Sequence, residues 1–264
     1  MATIAVIPAR LASTRFPGKP LADIHGIPMV MHCYLRTKAA KLIDRVYIAT
    51  CDEEISEVAT SHGALVVMTS DQHINAIDRT AEAFERIRAD SDDEIGIVVL
   101  VQGDEPLLNP EDLDAIVKKM EQDPSLGIVN IMVPFKSTDD FTDENKPKVV
   151  TDANLRALYM SREPIPSNWH GWSDAHSHMQ TGLFGFRPES LEWFAQAPRS
   201  PLELIESIDM LRVLQSGRVV QMIRAEESTI GVDTPANLDE VRALMPTDRL
   251  FGSYREGSEA RPAE

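Results

Sequence analysis

The sequence predicts an α/β protein built on a doubly wound, mostly parallel sheet with an inserted region of strands and loop. Three observations predict it. Short apolar runs alternate with amphipathic segments through the first half of the chain, as when strands feed covering helices. One of those runs, Ile95 to Val101, is almost wholly apolar, as a strand buried in a parallel sheet should be. The middle third then loses the alternation and becomes rich in strand-like runs and proline.

In order, Thr3 to Ile7 reads as a buried strand, Pro28 to Ala40 as a helix and Arg45 to Thr50 as a second strand. Asp52 to His62 reads as a helix with an acidic cap, stopped at Gly63. Ala64 to Met68 is a third strand, Arg79 to Ala89 a helix and Ile95 to Val101 a fourth strand. Asn109 to Gln122 is a helix with Pro110 and Glu111 where helix starts favour them. Ile128 to Pro134, Pro147 to Thr151 and Ala157 to Ser161 read as strands. Pro164 to Met179 is irregular, with tryptophans and histidines. Thr181 to Arg187 is a strand, Leu202 to Gln215 a helix, Arg218 to Arg224 a strand and Pro235 to Met245 a closing helix. Residues 1 to 250 are expected to form one domain, with 134 to 200 as an insertion on it and 251 to 264 as a flexible tail.

The 42 acidic residues outnumber the 26 basic ones, a formal charge of −16. Such a chain is a poor partner for nucleic acid polymers or anionic membranes, yet a local cationic cleft can still hold a nucleotide. Cys33 and Cys51 make neither a disulfide framework nor a zinc site, which fits a reducing cytoplasm. The apolar runs are too short for a membrane span, and the first residues do not read as a signal sequence.

Three segments carry chemistry. The first strand runs into a loop from Pro8 to Leu21 (PARLASTRFPGKPL), with Arg10, Arg15 and Lys19 separated by small residues and a Pro-Gly turn. Placed at the carboxyl end of a parallel strand, such a loop can wrap a triphosphate, although its glycine spacing is not that of a Walker loop; it also reads as a basic surface loop. The segment Gln102-Gly103-Asp104-Glu105-Pro106 follows a buried strand at the same sheet edge. Asp104 is a candidate Mg²⁺ ligand and Glu105 reads equally as a turn residue. The segment Gly231-Val232-Asp233-Thr234-Pro235 offers a second carboxylate, Asp233, which also reads as a helix cap.

Together these motifs closely resemble the 3-deoxy-manno-octulosonate (KDO) cytidylyltransferase family. So do Pro147 to Val150, Ala157 to Arg162, Ser200 to Glu203 and Leu211 to Leu214, and the resemblance runs in order from about residue 3 to about residue 245. It implies a Rossmann-like nucleotidyltransferase fold, a homodimer paired through the inserted region, and CMP transfer from CTP to an acidic small-molecule acceptor with release of pyrophosphate. In such an enzyme Arg10, Arg15 and Lys19 would bind the triphosphate, Lys19 would neutralise charge at the α-phosphate, and Asp104 and Asp233 would hold Mg²⁺. Ser13, Asn75, Ala76 and Arg79 would bind substrate, the Asn75 loop lying against the nucleobase and the acceptor. Gln102, Arg162, Gln180, Glu203 and Met210 would serve the acceptor.

Three places depart from the family pattern. Asn75-Ala76-Ile77 stands where Ser-Gly-Thr is usual, Gln180 where a histidine is usual, and Met210 where a glutamine is usual. A site that loses polar partners rejects the substrate groups that matched them. The departures therefore argue for a different acid, another ulosonic acid or a phosphonate, while repacking around the same sugar by drift would leave KDO as the acceptor. A non-catalytic nucleotide-sugar binding protein is the alternative from another class. Trp169, His170, Trp172, His176 and His178 read either as pocket lining or as surface, and lack metal-ligand spacing.

Overall fold

The computed structural model describes residues 1–12, 16–172, 176–226 and 229–255. The chain folds into two compact units: Met1–Asp114 with Thr229–Glu264, and Ala115–Ser228.

The first unit is built on four parallel strands, β1 (Ala2–Ala9), β4 (Arg45–Thr50), β5 (Leu65–Met68) and β6 (Ile95–Val101), with a small ribbon of β2 (Asp23–Ile24) and β3 (Ile27–Pro28). β1 pairs on one side with β4, which pairs with β5, and on the other side with β6. The chain thus winds outward from β1 to β5 and then returns to lay β6 against the opposite edge of β1. That reversal opens a crevice beyond the carboxyl ends of β1 and β6, where open α/β sheets bind their ligands. Every residue of β6 is buried, as its unbroken apolar run predicts. At roughly 25 cal/mol per Å² of apolar surface, each such valine, leucine or isoleucine contributes about 1.5–3 kcal/mol.

Helices α1 (Met29–Lys38), α2 (Glu53–Ser61) and α3 (Ala76–Ala89) connect these strands. Helix α2 stops ahead of Gly63, which takes φ 76°, as expected. Asp52 precedes α2 but its side chain does not cap it; the carboxylate accepts the Leu11 amide instead, at 2.8 Å. Helix α3 starts three residues earlier than its apolar pattern suggests, because the Asn75 side chain accepts the Asp78 amide at 2.8 Å and caps a turn of weak periodicity. Helix α4 (Pro110–Gln122) follows β6.

The second unit pairs β7 (Ile128–Pro134) in parallel with β11 (Gln221–Arg224) and antiparallel with β10 (His178–Phe186); β10 pairs antiparallel with β8 (Lys148–Thr151), and β8 with β9 (Ala157–Ser161). Strand β10 begins at His178, three residues before the sequence suggests. The short helices α5 (Thr138–Thr142) and α6 (Pro188–Gln196) were not anticipated. The segment Leu202 to Gln215 is not one helix. It forms α7 (Pro201–Glu206) and α8 (Met210–Gln215), broken where Ser207 takes a left-handed φ of 54°.

The chain closes in the first unit with α9 (Pro235–Leu244) and α10 (Phe251–Arg255). Where a flexible tail was expected to begin, Phe251 is buried and the Tyr254 hydroxyl reaches His32 Nδ1 at 2.9 Å.

Candidate active site

A cavity of about 700 Å³ opens in the first unit at the crevice beside β1 and β6. Pro8, Ala9, Arg10, Ala12 and Lys19 line it from the first loop; His73, Ile74, Asn75, Ala76 and Arg79 from the start of α3; Gln102, Gly103 and Asp104 from the loop after β6; and Asp233 from the segment before α9. Its volume suits a drug- or nucleotide-sized ligand.

The first loop is held at its base by the Asp52 carboxylate on the Leu11 amide. Gly18 turns the chain with φ 71° into a single 3₁₀ turn, Lys19–Leu21, and the Lys19 side chain is thereby aimed inward. Its ammonium donates to Asp104 Oδ2 at 2.7 Å and to Asp233 Oδ1 at 3.4 Å. Arg10 is exposed and reaches the His73 carbonyl at 3.5 Å. Ser13 and Arg15 lie outside the described residues.

The loop after β6 passes close to β1. A Cβ on Gly103 would stand 3.0 Å from the Pro8 carbonyl oxygen and 3.3 Å from Ile7 Cγ2, so glycine is what lets Asp104 approach this edge. Beneath the loop, Cys33 of α1 is fully buried, and that burial, reinforced by the charges of Asp104 and Glu105, pushes its thiol up, keeping it neutral.

Asp233 does not cap α9. Thr234 does, in a reciprocal box: its hydroxyl accepts the Asn237 amide while the Asn237 side chain accepts the Thr234 amide. The Asp233 carboxylate is left to meet Lys19.

Two carboxylates within reach of one ammonium define a point where a cation's charge is balanced. Among the described residues no group of three or more His, Cys, Asp or Glu side chains is placed to hold a metal. Asp104 and Asp233 suit a hard cation such as Mg²⁺, which commonly takes one or two protein carboxylates and completes its shell with phosphate oxygens and water. The cations that line the same cavity, Lys19 and Arg10, suit the phosphates.

Of the other expected site residues, Gln102, Asn75, Ala76 and Arg79 line the cavity. Asn75 also donates to the Asp78 carboxylate at 2.9 Å, so much of its amide is spent on the cap. Arg79 is 3% exposed and braces the turn after β5 through Thr69 Oγ1 and the Ser70 carbonyl. His73 was missed by sequence reasoning. It lines the cavity and its ring pairs with Glu82, whose carboxylate also takes the Ser70 amide and Arg86. Burial would raise the Glu82 pKa, but these donors outweigh it and hold the group below the usual glutamate value.

Arg162, Gln180, Glu203 and Met210 belong to the second unit. The Arg162 guanidinium donates to the carbonyls of Glu206, Glu144 and Ser207. Glu203 is fully buried between Arg212, at 2.6 and 2.8 Å, and Arg199, at 3.0 Å, and caps α7 with Ser200. Despite its burial, these donors hold its pKa below the usual glutamate range. Met210 is fully buried at the start of α8. Neither Glu203 nor Met210 presents an atom to solvent. Gln180 lies on β10 with its side-chain oxygen buried and unpartnered among the described residues. Trp169, His170 and His176 are exposed, as the surface reading expects, whereas Trp172 is half-buried and His178 is buried at the start of β10.

Residues 4–226 match the family model described as cytidylyltransferase. The chain is 41% identical to 3-deoxy-manno-octulosonate cytidylyltransferase of Geobacter metallireducens, over 91% of this chain and 96% of that one. It is 39% identical to the protein of the same name from Parabacteroides distasonis, over 93% and 98%. Among solved structures it is similar to CMP:2-keto-3-deoxy-manno-octonic acid synthetase complexed with CTP, with a TM-score of 0.85 and 33% identity over 94% of this chain and 99% of the other. A cytidylyltransferase from Leptospira borgpetersenii, 16% identical with a TM-score of 0.62 over 100% and 99% of the two chains, shares the fold. By sequence and by fold alike, the chain belongs to the cytidylyltransferase family of nucleotidyltransferases.

Proposed function

We propose that this protein transfers CMP from CTP to the anomeric hydroxyl of KDO or a closely related acidic sugar and releases pyrophosphate. The observation that carries the reading is the convergence of Asp104 and Asp233 on Lys19 in a cavity that Arg10 also lines. Relatives that bear the KDO cytidylyltransferase name and align over nearly their whole length support the choice of acceptor.

In the reaction the sugar hydroxyl oxygen bonds to the α-phosphorus and gives up its proton to solvent, the bond from that phosphorus to the bridging oxygen breaks, and pyrophosphate leaves with the electron pair. No covalent enzyme intermediate is needed. Bound Mg²⁺, held by Asp104 and Asp233, would supply charge neutralisation at the phosphates. Lys19 would turn its ammonium from the two carboxylates toward the α-phosphate, and Arg10 would hold the outer phosphates. Arg79, locked by Thr69 and Ser70, would keep the turn before α3 in place against the nucleotide. Positioning and preorganised charge do most of the work in transfers of this kind.

We further propose that the protein works in the cytoplasm as a homodimer; no helix of the described residues is long and apolar enough to cross a membrane. The test is pyrophosphate release with CTP, Mg²⁺ and KDO, run beside other ulosonic acids and phosphonates. Release with KDO that requires all three components is expected and should vanish in Asp104→Asn. Release with another acid but not with KDO would move the acceptor assignment, and silence with every acceptor would overturn the reading.

A further inference from the structure

Asp104 and Asp233 come from segments far apart in sequence, and two like charges brought together repel unless something fixes the approach. Two hydrogen bonds join the segments directly. The Val232 amide donates to the Asp104 carbonyl at 2.8 Å, and the Thr229 hydroxyl donates to Glu105 Oε2 at 2.8 Å. A glutamate serving only as a turn residue would need no buried side chain. The turn uses the Glu105 backbone, whose amide donates to the Gln102 carbonyl at 3.4 Å and whose carbonyl accepts the Leu108 amide at 3.1 Å. Yet Glu105 is 7% exposed, and a buried carboxylate is costly unless it is given donors. The far end of the same loop is gripped by Arg36, 1% exposed, whose Nε donates to the Leu108 carbonyl at 2.6 Å.

We infer that Glu105 and Thr229 are a positioning pair that sets the approach of Asp104 to Asp233. The inference rests on the reading above that these two carboxylates hold the metal. Neither member of the pair is among the residues that line the cavity. Thr229 stands four residues before Asp233 and Glu105 stands next to Asp104, so their hydrogen bond fixes one metal-holding segment against the other.

The test uses the full chain with CTP and Mn²⁺ as the probe, following free Mn²⁺ by its electron paramagnetic resonance signal, with Mg²⁺-dependent turnover and Tm measured alongside. Thr229→Val keeps the shape and removes the hydroxyl. It should weaken Mn²⁺ binding about tenfold, the lower range for residues that orient metal ligands, and raise the Mg²⁺ concentration for half-maximal rate by a like factor. Thr229→Ser should restore both, and Glu105→Gln, which keeps an acceptor oxygen, should fall much closer to wild type than Glu105→Ala. Wild-type Mn²⁺ affinity in Thr229→Val would overturn the pair, as would a Thr229→Ser variant as weak as Thr229→Val. Asp104→Asn separates the two readings. If it abolishes Mn²⁺ binding while Thr229→Val does not, the positioning role alone falls; if it binds Mn²⁺ normally, the metal reading falls and the pair falls with it.

Discussion

The Lys19 ammonium lies 2.7 Å from the Asp104 carboxylate, with Asp233 at 3.4 Å on its other side. The lysine ammonium therefore competes for the same two carboxylates as the cation they are proposed to share. Lys19→Met should have two opposite effects. Turnover should drop about 10²–10³-fold, the usual cost of removing one charge-stabilising donor at a reacting centre. Divalent-metal binding without nucleotide should tighten, because the competing ammonium is gone. Calorimetric titration with Mn²⁺ checks the second effect; weaker metal binding in Lys19→Met would refute the competition.

Gly103 leaves only a tight fit for a methyl group. A Cβ there would stand 3.0 Å from the Pro8 carbonyl oxygen, a backbone atom that cannot rotate away. Gly103→Ala should lower stability by about 1–3 kcal/mol, the typical cost of overpacking, and push the loop carrying Asp104 off the edge of β1. Activity should fall further than the stability loss explains. A variant with wild-type Tm and wild-type kcat would show that the loop can yield at no cost.

Much of this was legible in sequence because one physical rule governs it. Buried parallel strands demand near-continuous apolar runs, so β6 and β7 stand out, and the loops at their ends can be placed on a sheet edge. Asp104 and the loop bearing Lys19 could be placed at one sheet edge for the same reason, since they follow β6 and β1, while their roles rested on the family resemblance. Asp233 could not be told from a helix cap by sequence, since the answer depends on Thr234 and Asn237 satisfying each other. The break between α7 and α8 was hidden because a serine carries the left-handed residue, where glycine or asparagine is the readable signal. The resemblance put Glu203 on the acceptor side; its bonds to Ser200 and Arg199 are local, but the pair it makes with Arg212 nine residues on depends on how α7 and α8 pack.

Gln180 carries a buried side-chain oxygen without a partner among the described residues. A buried, unpaired carbonyl oxygen costs about 1–3 kcal/mol, so deleting it should not hurt the fold. Gln180→Leu should match or slightly exceed wild-type Tm. If the amide serves the acceptor, the same variant should raise KM for the acid and leave KM for CTP unchanged. Equal KM for both substrates in variant and wild type would remove Gln180 from the acceptor side.

His32 offers a pH test of how the end of the chain is docked. Its ring is fully buried, with Nε2 on the Ile24 carbonyl and Nδ1 on the Tyr254 hydroxyl, each at 2.9 Å. A neutral imidazole satisfies both, donating from Nε2 and accepting at Nδ1. Burial, helped by the positive charge of Arg36, lowers its pKa from 6.5 to about 4, although the Ile24 carbonyl and Asp23 pull the other way. Between those two values the unfolded chain takes up a proton that the folded one refuses. Stability from this group is therefore complete above pH 6.5 and is lost progressively as pH falls toward 4, on the order of 3 kcal/mol over the interval. His32→Gln, which keeps a donor and an acceptor but does not titrate, should start less stable at pH 8 and show a shallower fall of stability in acid. Denaturant midpoints measured from pH 8 to pH 4 decide it: parallel curves for variant and wild type would mean that His32 is not the group that titrates.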